Sequence, residues 1–140
     1  IQDKDLKKID QKKLKFTTDK PNKKVINDMN FAFTVAKFIN SNAIVIAKNL
    51  STIGIGVGQT SRIDSAEQAI KRMNDNFGKI QGVLASDGFF PFPDIIKICA
   101  KNNILNIIQP GGSLNDELVI QEAEKQKVNL VFTGTRHFKH

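Results

Sequence analysis

Apolar residues recur every three to four positions through "INDMNFAFTVAKFIN" (26–40), where Ile26, Met29, Phe33, Ala36 and Phe38 or Ile39 share one face. This spacing predicts an amphipathic helix, with Asn27 or Asp28 as its N-cap. The period then shortens. "AIVIAK" (43–48) and "TIGIGVG" (52–58) are β-rich runs separated by "NLS", a length that suits a hairpin. "SAEQAIKRMNDNF" (65–77) returns to helical spacing behind a serine cap.

From there the alternation is regular. "GVLAS" (82–86) reads as a buried strand, "PDIIKICAKNN" (93–103) as a helix opened by Pro93, and "ILNIIQ" (104–109) as a strand. "PGGS" (110–113) is a turn, "NDELVIQEAEKQK" (115–127) a helix capped by Asn115, and "NLVFT" (129–133) a last strand. Strands alternating with helices through short loops make right-handed crossovers and a parallel sheet, which the hairpin extends antiparallel. The expected fold is a three-layer α/β/α domain with a mixed sheet of about five strands.

Composition adds bounds. A chain of 140 residues is one domain's worth, with 40% apolar and 25% charged residues, the ordinary globular range. Cys99 is the single cysteine, and neither a signal peptide nor a bilayer-length apolar run is apparent, so a cytoplasmic, reducing location and no membrane partner are expected. The chain opens on Ile1 within a lysine-rich polar stretch, as a piece of a longer protein would.

The net charge of +7 is unevenly placed. Residues 1–24 hold nine lysines against four aspartates, while residues 25–140 hold twelve basic and ten acidic groups. Residues 1–25 therefore read as a lysine-rich connector and 26–140 as the domain. The folded part has no dense basic stripe and the chain lacks Tyr and Trp, so no nucleic-acid partner is expected. Binding through the leader alone would be steeply salt-dependent and lost on its removal.

Motifs narrow the chemistry. "GIGVG" (54–58) lies within a strand and is not a dinucleotide fingerprint; glycines there fit close backbone approach or a bulge. The order of hairpin, strand and helix resembles the zinc deaminases, which hold their metal through H-x-E and P-C-x-x-C. Here the helix start reads "PFPDII" without a thiol, and Cys99, His137 and His140 lack zinc spacing, so no zinc is expected. In α/β proteins ligands bind beyond the carboxyl ends of parallel strands, and "SDGFFPFPD" (86–94), "QPGGSLND" (109–116) and "TGTRHF" (133–138) fall there. Arg62 and Arg136 each follow a strand end, suited to phosphate or to a surface ion pair. Among the phenylalanines, alternation points Phe90 and Phe92 one way and Phe89 the other, dividing them between core and site.

Taken together, "KFINSNAIVIAKN", "GIGVGQTSR", "ASDGFFPFPD", "IIQPGGSLNDE" and "TRHFKH" resemble the C-terminal part of the bifunctional purine-biosynthesis family that carries AICAR transformylase and IMP cyclohydrolase. The likeness spans residues 31–140 and is closest to the second of two cytidine-deaminase-like domains in the transformylase half. It implies transfer of a formyl group from 10-formyltetrahydrofolate to the 5-amino group of AICAR, giving FAICAR. By this resemblance Asn42, Arg62 and Arg136 hold AICAR. Ile63, Phe89, Pro91, Phe92, Asp94, Ser113 and Leu114 line the folate side, and a monovalent cation lies near Asp87. The family also implies a homodimer whose subunits share the site.

Two departures stand out: Pro93 replaces the usual arginine before Asp94, and Gly88 stands where alanine is common. The family's proton-handling Lys-His pair has no counterpart in these residues and is expected upstream. The chain should therefore bind and orient but be inactive alone. The alternative is a non-catalytic nucleotide- or folate-binding α/β module.

Overall fold

The computed structural model describes residues 15–16, 20–78 and 80–134. Its first helix, α1 (Lys23–Ala36), starts earlier than expected, because Asn22 Oδ1 accepts the N–H of Val25 at 2.9 Å and so caps it. The boundary expected between residues 25 and 26 thus falls inside α1. Asp28 is not a cap: it is buried within the helix, and its two carboxylate oxygens accept the N–H groups of Asn49 (3.1 Å) and Leu50 (2.8 Å). Those residues form the tight turn between β2 (Ile44–Lys48) and β3 (Ser51–Gly56), with φ of 53° and 58°. Two successive residues at positive φ turn their amides outward, and a carboxylate can accept both.

Helix α2 (Arg62–Phe77) also begins earlier than expected, with Ser61 rather than Ser65 as N-cap, its Oγ accepting from Asp64 N at 3.2 Å. That shift brings Arg62 and Ile63 into the first helical turn. The helix lies directly over β3. A Cβ on Gly54 would stand 2.2 Å from the Ala69 carbonyl oxygen, and one on Gly56 would stand 1.8 Å from that of Ser65. Close backbone approach therefore explains the glycines of "GIGVG".

The remaining elements follow the expected order: β4 (Val83–Ser86), α3 (Asp94–Lys101), β5 (Asn106–Gln109), α4 (Asp116–Gln126) and β6 (Asn129–Phe132). All five expected strands form, and a two-residue strand, β1 (Lys15–Phe16), adds a sixth at the edge. The order is β1-β6-β5-β4-β2-β3, parallel across β4, β5 and β6 and antiparallel elsewhere.

Side chains alternate between two cores, as strand geometry requires. Ile44, Ile46, Leu84, Ile107 and Leu130 pack with α2, α3 and α4, whereas Val45, Ala85, Ile108 and Val131 pack beneath α1. This gives the three-layer α/β/α arrangement. Cys99 is wholly buried in the larger core, and burial pushes its thiol up to about 12, so it remains protonated and acts as a packing group.

The close seating of α2 on β3 gives a direct test. Gly56→Ala should destabilise the domain by about 1–3 kcal/mol in urea unfolding, because backbone must move to admit the methyl. An unchanged midpoint would show that α2 does not approach β3 this closely.

Candidate functional site

The hairpin and the parallel strands bring several loops to one end of the sheet. Ile44 is paired with both Gly56 and Ser86, so the start of β2, the end of β3 and the end of β4 lie side by side. The parallel pairing of β4, β5 and β6 places the segments after them at the same end. Residues 41–43, 57–62, 86–94, 110–115 and 133–134 therefore share one rim.

Asp87, just beyond β4, organises the β2 side of that rim. It is 1% exposed and ion-paired with Arg62 Nη1, itself 8% exposed. Asp87 Oδ1 also accepts the Ala43 N–H at 3.1 Å, and Oδ2 accepts the Ser41 hydroxyl at 2.5 Å. Arg62 Nη1 reaches Ser86 Oγ at 3.1 Å, and Nη2 donates to Asn42 Oδ1 at 2.8 Å. Asn42 in turn donates through Nδ2 to Gln59 O (3.1 Å) and accepts the Ser65 hydroxyl at its carbonyl (2.6 Å). The Ser41–Asn42 peptide is cis. Asn42 and Arg62, singled out from sequence, thus stand in direct contact. The groups around Asp87 are donors and a guanidinium, which is the chemistry of an ion pair. Among the described residues both Asp87 oxygens are taken up by these contacts, and no step is assigned to a monovalent cation.

The segment after β4 does not alternate as a strand would, so Phe90 and Phe92 do not share an environment. Phe90 is fully buried, Phe92 is 59% exposed, and Phe89 is half-buried. Prolines at 91 and 93 remove two ladder donors and bend the chain out of the sheet. Pro91 is half-buried, and Asp94 is placed in the first turn of α3, where the helix dipole favours its charge. Ile63 packs half-buried against the larger core.

A second loop adjoins the first. Asp116 accepts the N–H groups of Gly112 (2.8 Å) and Ser113 (3.1 Å), which shapes the "PGGS" turn. Leu114 is fully exposed at its tip. Asn115 Nδ2 donates to Pro91 O at 2.8 Å and so ties this loop to the aromatic one. Phe89, Pro91, Phe92, Ser113 and Leu114 accordingly fall on two linked loops, with Asp94 at the helix start that follows the first of them. A hollow of about 300 Å³ lies alongside, bordered by Gly111, Gly112, Asp116, Phe132 and Thr133. Arg136, His137 and His140 lie outside the described residues.

Sequence reasoning misses the structural parts of this rim. It singles out Asp87 only for a cation, and it assigns Ser41, Gln109 and Asn115 no part in holding the loops. A polar residue closing an apolar strand, as Gln109 does in "ILNIIQ", is the available signal.

The model of the AICARFT/IMPCHase bienzyme family matches residues 1–72, which is half of the chain. This chain belongs to the AICARFT/IMPCHase bienzyme family. It is 51% identical to the bifunctional purine biosynthesis protein PurH of a Thermoanaerobacter species over the whole of its length. It is 48% identical to PurH of Fusobacterium nucleatum over 89% of its length. It spans only 27% and 25% of those proteins. Among solved structures it is similar to a dCMP deaminase from the cyanophage S-TIM5, with a TM-score of 0.52 and 16% identity, covering 80% of this chain and 98% of that one. That likeness establishes a cytidine-deaminase-like fold. Among the described residues no helix is long and apolar enough to cross a membrane.

The buried pair carries a prediction of its own. Asp87→Ala should lower stability by about 3–5 kcal/mol in urea unfolding, because Arg62 is left as an unpaired buried charge. A loss below about 1 kcal/mol, the range of exposed pairs, would show that Arg62 turns out to solvent instead.

Proposed function

We propose that the α/β domain described above, α1 included from Lys23, forms the second deaminase-like domain of the AICAR transformylase half of a bifunctional enzyme. It supplies binding and orienting groups for transfer of a formyl group from 10-formyltetrahydrofolate to AICAR, giving FAICAR. The observation that carries this reading is the bond from Asn115 to Pro91. It aligns the aromatic and "PGGS" loops on the rim where Asp87 holds Arg62.

In this reading the new bond forms between the 5-amino nitrogen of AICAR and the formyl carbon, the bond from that carbon to folate N10 breaks, the amine loses a proton, and N10 gains one to leave as tetrahydrofolate. Holding the two reactants in contact lowers the barrier by removing translational and rotational freedom beforehand. Arg62 and Asn42 are already fixed against each other, so the guanidinium meets an AICAR oxygen without first being ordered. Arg136 takes the phosphate. On the other side the Asp94 carboxylate accepts N–H groups of the pterin, and the Phe89 face packs on its ring, with Pro91 and Phe92 continuing the wall. Ile63, Ser113 and Leu114 complete the folate side.

Proton handling belongs to a Lys-His pair upstream, and the site is completed across a homodimer. The start of α3 carries Pro93, Asp94, Ile95 and Ile96, so the thiolates that hold a deaminase zinc have no counterpart and zinc is assigned no part.

The test is formyl transfer by the complete protein and by residues 1–140 alone. The fragment should turn over at least about 10²-fold more slowly, the usual contribution of a lost acid–base group. In the complete protein Asp94→Ala should raise KM for the folate about 10-fold or more, as expected for loss of a charge-assisted hydrogen bond, and leave KM for AICAR near its original value. Equal turnover by the fragment, or an unchanged folate KM, would contradict the assignment and favour a non-catalytic binding module.

A further inference from the structure

We propose that Gln109 and Asn115 act as a pair of positioning residues, an amide clamp that sets the aromatic wall in place for the folate. This rests on the formyl-transfer reading and adds to it two residues that touch neither reactant.

Gln109 ends β5 and is fully buried. Its Oε1 accepts the N–H of Phe90 at 3.1 Å, whereas its Nε2 has no acceptor among the described residues. A buried amide donor without a partner is destabilising, and a methionine of similar length would avoid that loss. The bond to Phe90 is therefore the one thing the amide adds at this position.

Asn115 occupies the N-cap position of α4, yet its side chain makes no capping bond. Its Nδ2 instead donates to Pro91 O at 2.8 Å, and its own N–H goes to Ser113 Oγ at 3.0 Å. The two amides thus grip successive residues of one loop: the donor of Phe90 from below and the acceptor of Pro91 from the side. The Phe90 ring, sunk in the core, is a third anchor. With the middle of the loop fixed at these points and φ of Pro91 restricted, Phe89 and Phe92 have little freedom to fold inward. Phe92 is held at the surface with Phe89 half-buried beside it, and the same bond fixes the placement of their loop relative to Ser113 and Leu114.

The experiment compares Gln109→Met, Asn115→Leu and their combination in the complete protein, measuring kcat and both KM values. Gln109→Met and Asn115→Leu should each raise the folate KM by about tenfold, as a wall displaced by a fraction of an ångström would, and leave the AICAR KM unchanged. The double variant should show less than the product of the two effects, because both hold one loop. A merely structural role would move both KM values together or neither. An unchanged folate KM in Gln109→Met or in Asn115→Leu would overturn the clamp. If Asp94→Ala still raises the folate KM in that case, the site assignment stands and only the clamp fails. If Asp94→Ala is silent too, both fall.

Discussion

The buried pairing of Arg62 with Asp87 is the constraint around which the rim is arranged. A guanidinium that is 8% exposed is tolerable only with a charged partner and further acceptors, and Asp87, Ser86 and Asn42 supply them. Asp87 can meet it only because β2 pairs with both β3 and β4, which brings residues 41–43 and 86–87 to the same edge. Arg62 can meet it only because α2 starts immediately after the hairpin and lies against β3. Gly54 and Gly56 permit that approach. A small backbone feature in one strand thus decides where a charged group stands two strands away.

The pair is better understood as a device for orientation than as a source of stability. Replacing a buried ion pair by apolar residues is often neutral or favourable, so its presence calls for another explanation. Arg62 and Asn42, locked to each other and to the sheet, form a pre-organised polar surface beside a wall of phenylalanine and proline. The two sides are built differently. One is held by charge and hydrogen bonds to strand ends, the other by a ring buried in the core and two side-chain amides. The cytidine-deaminase-like fold accommodates both, because its loops converge at the carboxyl end of the sheet irrespective of the chemistry placed there.

Much of this was legible in the sequence. The alternation from "GVLAS" to "NLVFT" marks the parallel strands, and the run "AIVIAK" with "TIGIGVG" marks the hairpin, because periodicity reports which face is buried. Helix starts were less legible. Asn22 and Ser61, not Asn27, Asp28 or Ser65, cap α1 and α2, since several residues nearby are chemically able to cap and tertiary contacts choose among them. Asp28 shows the competition plainly: its carboxylate goes to a turn some twenty residues away. The two-residue β1 carried no pattern at all, because two residues define no period. The candidate site was legible as residue types at strand ends, while the division of Phe89, Phe90 and Phe92 was not, because prolines ended the alternation on which that reading relied. The pairing of Asp87 with Arg62 and the roles of Gln109 and Asn115 are tertiary facts with only faint local signals.

The chain is about a quarter of the length of the relatives it resembles, and on the formyl-transfer reading its rim is a half-site. On that reading the rim holds AICAR on its Arg62 side and the folate on its Phe89 side. The most direct measurement is a crystal structure of the complete protein with AICAR and a non-reactive analogue of 10-formyltetrahydrofolate. Arg62 and Asn42 should then stand in hydrogen-bond contact with AICAR, with the Phe89 ring against the pterin and the Asp94 carboxylate on its N–H groups. Both ligands bound away from this rim, with Arg62 touching neither, would contradict the claim.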